Sequence, residues 1–301
     1  MHRTRTALLT AIVIVGALAA CSAGGTPDPT SSTAPDTTAT STTPVARPDG
    51  AVDRLVAVRG ARLHLRCDGA GDTTVVLLAG FTDGGEQWGP MQAELGGQAR
   101  VCAYARFGTG TSDPAPGTQT FATEAADLHA LLEAAGEPGP YVLVGHSFGG
   151  PVAVTFADRY PGEVVGLALI DASPAGWYNA VCAVPDDGTE SARSFAGLCA
   201  SLTDPGTNVE RLDGALAFAE VGTVGDLGDL PVTVVTAARR TLFADTAPSV
   251  ATRLNEVWDA GQAEWVGLST RSHLVTIEGV GHYVHLERPD LVVDQVRRLL
   301  P

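Results

Sequence analysis

No lysine occurs anywhere in the sequence. All 19 basic residues are arginine, set against 34 acidic ones, which leaves a formal net charge of −15. Such a surface repels phosphate backbones and anionic lipid headgroups, so neither nucleic acid nor a charged membrane face is expected as an electrostatic partner. Arginine without lysine, alongside abundant Ala and Gly, reads as a compositional bias of the GC-rich kind. Cysteine is scarce: five residues in 301 are too few for a disulfide scaffold. No cluster of His and carboxylates has zinc-like spacing, and the glycine-rich turns do not match phosphate-binding patterns, so no metal and no cofactor is expected. No internal repeat is visible, and nothing points to a protein partner. With 45% hydrophobic residues, the chain can nonetheless bury a sizeable core.

Long apolar runs are also missing. Residues 7–20 form an uncharged apolar run that follows Arg3 and Arg5. It is short for a bilayer span and fits the hydrophobic region of a signal peptide. Leu18-Ala19-Ala20-Cys21 comes directly after it. This tetrapeptide resembles the bacterial lipobox, whose cysteine receives a diacylglycerol and becomes the first residue of the mature chain. That implies a leader at 1–20 and an exported protein held on the outer face of the membrane by lipid on Cys21. An ordinary secretory cut near Ala19, with Cys21 incidental, is the alternative. Residues 21–50 consist almost wholly of Ser, Thr, Pro, Ala, Gly and Asp with no aromatic residue. They cannot form a core and read as an extended linker. Setting Cys21 aside leaves four cysteines, an even number suited to two bridges in an oxidising compartment.

From residue 51 onward the pattern changes. Strand-like runs recur at 52–58, 62–67, 74–79, 100–105, 141–145, 164–170, 232–236 and 273–278. Several, such as Val75-Val76-Leu77-Leu78, are continuous rather than alternating, as strands covered on both faces require. Helical patterns lie at 121–135, 248–266 and, starting from Pro289, at 289–300. Alternating strands and helices predict a single α/β domain over 51–301, built on a mostly parallel sheet of eight strands flanked by helices. Residues 171–230 form a connection far longer than usual, which suggests a lid or cap insertion. It contains Cys182 and Cys199, which are expected to bridge within it.

Tyr141-Val142-Leu143-Val144-Gly145-His146-Ser147-Phe148-Gly149-Gly150 places a G-x-S-x-G pattern between an apolar strand and an Ala-rich helix. Five letters alone recur by chance; the strand-turn-helix setting supplies the specificity. The chemistry needs small residues two before and two after the serine, because the turn is strained while Oγ must project from the sheet edge.

Over 51–301 the sequence resembles the α/β-hydrolase superfamily. Leu77-Leu78-Ala79-Gly80-Phe81 resembles the family's first oxyanion turn, with Ala79 where His is common. Ala105-Arg106-Phe107-Gly108-Thr109-Gly110-Thr111-Ser112 resembles its Asp-Arg-x-Gly-x-Gly-x-Ser loop, with Ala105 in place of Asp. The resemblance implies Ser147 as nucleophile, with the backbone amides of Phe81 and Phe148 as oxyanion hole. Glu278-Gly279-Val280-Gly281-His282-Tyr283 resembles the last active-site loop, which makes His282 the general base in preference to His273 or His285. For the acid the family offers two positions. Asp171 ends the strand before the long connection, and Asp245 is the first carboxylate after Val232–Ala238. Both keep the order Ser, acid, His, and Asp171 is favoured. The family's strand order would also bring Cys67 and Cys102 side by side for a second bridge. The implied activity is cleavage of a small-molecule carboxylic ester through an acyl-enzyme. An amide or peptide bond cut by the same triad, or a surface lipoprotein that binds without catalysing, are the other readings.

Overall fold

In the computed structural model, residue 48, residues 50–238 and residues 246–301 are described. The leader at 1–20, Cys21, nearly all of the linker and Asp245 lie outside the described residues.

Eight strands form one sheet: β1 (Val52–Val58), β2 (Ala61–Asp68), β3 (Thr74–Leu78), β4 (Arg100–Tyr104), β5 (Tyr141–His146), β6 (Val164–Ile170), β7 (Val232–Ala237) and β8 (Ser272–Ile277). Their order across the sheet is β1-β2-β4-β3-β5-β6-β7-β8. β1 and β2 are a hairpin, β2 meets β4 antiparallel, and every pairing from β4 through β8 is parallel.

The continuous apolar runs explain why helices cover both faces. Val75 and Leu77 of β3, with Val101, Val142, Val144 and Ile170, pack under α1 (Gly89–Leu95) and α8 (Pro289–Arg297), against Trp88, Met91, Leu95, Val292 and Val296. Their neighbours Val76 and Leu78, with Leu143, Leu167, Leu169 and Val234, face α2 (Phe121–Ala135), α3 (Gly149–Arg159) and α7 (Pro248–Val266). Alternate side chains of one strand thus enter different cores. Each buried Val or Leu contributes about 1.5–3 kcal/mol relative to leaving it exposed. Helix α2 starts where expected because Thr120 caps it: its hydroxyl accepts from the Thr123 amide while the Thr123 hydroxyl accepts from the Thr120 amide. The last helix ends at Arg297 rather than 300, since the chain turns there and Leu299 tucks back into the core.

Between β6 and β7 the long connection folds into α4 (Trp177–Cys182), α5 (Glu190–Thr203) and α6 (Gly214–Val221). Thr189 and Asp213 cap the latter two by accepting from the Ala192 and Leu216 amides. A disulfide joins Cys182 at the end of α4 to Cys199 in α5. The other joins Cys67 to Cys102, directly opposite each other on β2 and β4, with Cα atoms 4.0 Å apart. Among the described residues no helix is long and apolar enough to cross a membrane.

An ion pair without a sequence signature is buried where β4 begins. Arg100, 2% exposed, donates from Nε and Nη2 to the Glu137 carboxylate at 3.1 and 2.5 Å, and from Nη1 to the carbonyls of Gly50 and Gly69. Removing one partner of such a pair strands the other charge in the interior, at a cost of about 3–5 kcal/mol. Glu137→Ala is therefore expected to lower the free energy of unfolding by about that amount in urea titrations. A loss within about 0.5 kcal/mol, the range of ordinary surface substitutions, would show that the pair is not structurally significant.

Candidate active site

The parallel strands end at one edge of the sheet, and the candidate residues collect there. Ser147 follows β5 at φ 51°, in the left-handed region. Non-glycine residues held there cost of order 1–3 kcal/mol and persist only where the surroundings enforce them. Here the enforcement is visible: the Ser147 amide donates to Ile170 O at 3.1 Å, while its carbonyl accepts from the amides of Gly150 and Ser173. Gly145 and Gly149 allow the turn to close, because a Cβ on Gly149 would run into the carbonyls of Leu78 and Ala79, and one on Gly145 into the backbone of Gly149.

Asp171 follows β6 in the same manner, at φ 40°. Its carboxylate is fully buried and held from several sides. Oδ2 accepts from His282 Nδ1 at 2.7 Å, and Oδ1 accepts from Thr236 Oγ1 at 2.8 Å and Trp258 Nε1 at 3.2 Å. His282 comes from the loop after β8. The Trp258 ring, on α7, stands edge-on to the imidazole at 5.3 Å. The structure thus brings Asp171 and His282 into direct contact beside the Ser147 turn. Asp245, the alternative acid, is outside the described residues.

The two other candidate histidines are placed differently. His273 lies at the opposite end of β8, 3.4 Å from Thr233 Oγ1. His285 joins the site's surroundings without reaching Asp171: its Nε2 meets Gln87 Oε1 at 2.8 Å, and its ring lies 4.3 Å from Trp88 and 4.4 Å from His146. Both neighbours of His282 are kept neutral. Burial, then the nearby His282 charge, depresses His285 to about 3. The same causes, with His285 added, hold His146 well below its ordinary value. An imidazolium at His282 consequently meets no like charge from either ring.

Phe81 and Phe148 stack at 4.9 Å, and Phe121 and Phe218 meet Phe148 edge-on at 6.0 and 5.3 Å. Their backbone amides take no part in the hydrogen bonds that hold the two turns among the described residues. Phe148 stands at the N-terminus of α3, where unsatisfied amides and the helix dipole favour negative charge.

Several contributors escaped the sequence. Ser173 is buried with its hydroxyl 3.4 Å from Ser147 Oγ; its only signal was a place two residues after Asp171. Asp83, just past Phe81, is half-buried, and burial raises its carboxyl despite its bond to Gln87 and the charges of Arg106 and His282. Arg106, inside the recognised loop, is 4% exposed and pairs with Glu210, 104 residues away. Burial works against its charge, but Glu210 and Glu124 more than offset this and hold it firmly protonated.

A model of the alpha/beta hydrolase family matches residues 75–295, and the chain belongs to that family. The uncharacterized Bacillus subtilis protein YqjL is 22% identical over 244 residues, 80% of this chain and 89% of that one. The Mycobacterium tuberculosis protein named lipase LipV is 35% identical over 114 residues, 38% of this chain and 42% of LipV, so the match spans less than half of that relative. The structure of a thermophilic esterase from Thermogutta terrifontis superposes with a TM-score of 0.57 at 22% identity, covering 82% of this chain and 97% of the other. That likeness is one of fold.

Burial pushes the Glu124 carboxyl up to about 8, with Glu210 and Asp127 adding to the rise and Arg106 opposing it. In the unfolded chain a glutamate releases its proton near 4.3. Between these values the folded state holds a proton that the unfolded state has lost, so stability falls as pH rises from about 4.3 to about 8. Glu124→Gln removes this dependence. Its melting temperature relative to wild type should rise across that window, whereas parallel curves would contradict the assignment.

Proposed function

We propose that the protein is a serine hydrolase that cleaves a small-molecule carboxylic ester through an acyl-enzyme. One observation carries the reading: the 2.7 Å contact between the buried Asp171 carboxylate and His282 Nδ1, set beside a serine held in a strained strand-to-helix turn. Family membership supports hydrolysis, and the name of LipV, a lipase, is in keeping with an ester as the bond cut.

In this mechanism Asp171 accepts the Nδ1 proton's hydrogen bond, which leaves the Nε2 lone pair of His282 available. Ser147 Oγ adds to the ester carbonyl as His282 takes its proton. The carbonyl oxygen becomes an oxyanion facing the Phe81 and Phe148 amides, each such donor contributing about 3 kcal/mol. Collapse expels the alcohol, which leaves with the proton from His282. A water then adds to the acyl carbon, losing its proton to His282, and the second collapse releases the acid and returns that proton to Ser147. Residues 171–230 serve as the lid over this site.

A fluorophosphonate probe is expected to label wild type and fail on Ser147→Ala. Asp171→Asn presents a donor where His282 needs an acceptor, and should lower kcat on p-nitrophenyl esters by about 10³- to 10⁴-fold with the fold intact. An unlabelled wild type would favour the reading as a binding lipoprotein, and faster turnover of matched anilides would favour amide chemistry. For the exported, anchored state, mass spectrometry of the mature protein should find acyl chains on Cys21. An unmodified N-terminus would remove the anchor.

A further inference from the structure

Glu210 belongs to the 171–230 insertion, yet its carboxylate is buried against the turn that carries Phe81. Oε2 accepts from Arg106 Nε at 2.6 Å, and Oε1 accepts from Nη2 at 3.1 Å and from the Thr82 amide at 2.5 Å. The same guanidinium donates to the carbonyls of Ala79 at 2.6 Å and Gly80 at 2.5 Å. Within residues 79–82, two carbonyls are therefore fixed by Arg106 and one amide by Glu210, and Phe81 is the residue between these fixed points. Thr82 sits at φ 64°, a left-handed conformation that a β-branched residue rarely adopts.

The insertion is seated beside this turn by contacts that do not involve Glu210's charge. The Gln119 amide donates to Arg211 O and the Asp213 amide to Gln119 O, both at 2.9 Å. The Asn208 side chain closes the loop onto the Leu212 backbone. Gly108, at φ 82°, lets the loop containing Arg106 touch this backbone, because a Cβ there would overlap the Val209 carbonyl. A carboxylate needed only to neutralise Arg106 has no reason to bond the Thr82 amide as well.

The structure assigns Glu210 a positioning role: through Arg106 and Thr82 it sets the turn that aims the Phe81 amide, so the oxyanion hole is complete only while the insertion is docked. This rests on the serine-hydrolase reading above. A lid that assembles part of the catalytic machinery on closing would leave the oxyanion hole incomplete until substrate is covered.

The test separates transition-state stabilisation from binding. Glu210→Gln keeps the shape and one acceptor but loses the charge. Gly108→Ala keeps every charge and displaces the insertion. Each is compared with wild type for kcat and KM on p-nitrophenyl acetate and for affinity toward an aryl trifluoromethyl ketone, whose serine adduct places an oxyanion in the hole. Rates are expressed per folded molecule, counted by near-ultraviolet circular dichroism. Both variants should lose about 10²-fold in kcat with KM within about threefold, and should bind the ketone more weakly by a matching factor. Unchanged kcat and ketone affinity would overturn the assignment, as would a raised KM with kcat intact. A wild type inert to both ester and fluorophosphonate would overturn the serine-hydrolase reading instead, whereas active wild type and equally active Glu210→Gln would overturn this inference alone.

Discussion

A carboxylate wholly removed from water is costly unless donors replace its hydration, and the Asp171 side chain is in that position. The residues that satisfy it come from different parts of the chain: Thr236 from β7, Trp258 from α7 and His282 from the loop after β8. Meeting this one requirement fixes the relative placement of three elements that follow the 171–230 insertion. It also explains why the backbone tolerates φ 40° at Asp171 directly beside φ 51° at Ser147. Two adjoining strand ends hold strained residues because their shared hydrogen bonds, among them Ser147 N to Ile170 O and Ser173 N to Ser147 O, leave no relaxed alternative. The site is thus a consequence of how β5, β6, β7 and β8 terminate together.

Electrostatic order extends outward from there. His146 and His285 are buried and neutral next to His282, so the site can host one developing positive charge without competition. Behind the Phe81 turn, the Arg106 cation, the Glu210 carboxylate and the Glu124 carboxyl, which burial holds protonated, form a buried group. Here a fixed positive charge lies close to the carbonyls of residues 79 and 80 rather than in solvent, where it would be screened.

Much of the scaffold was legible because its signals are local. Continuous runs such as Val75–Leu78 marked strands with two covered faces, and the apolar spacing within residues 121–135 marked α2. The pairing of Cys67 with Cys102 was implied by the resemblance to the α/β-hydrolase family, whose strand order sets β2 beside β4. What remained hidden depends on partners far apart in sequence. Nothing near Arg106 announces Glu210, and nothing near Arg100 announces Glu137. The helices of the insertion are short and weakly patterned, so only its length and cysteines stood out. Two departures from the family pattern, Ala79 and Ala105, looked unrelated in sequence. The register that sets Leu77 opposite Ala103 carries both to neighbouring strand ends, where the Ala79 carbonyl is held by Arg106.

The central claim is that catalysis passes through Ser147 as an ester of the substrate's acid. Rapid-quench mass spectrometry during turnover of a p-nitrophenyl ester tests it most directly. The account predicts a transient acyl mass on the peptide containing Ser147 that appears with the first p-nitrophenol and decays as substrate is exhausted. Turnover without any adduct, or an adduct on another residue, would contradict it.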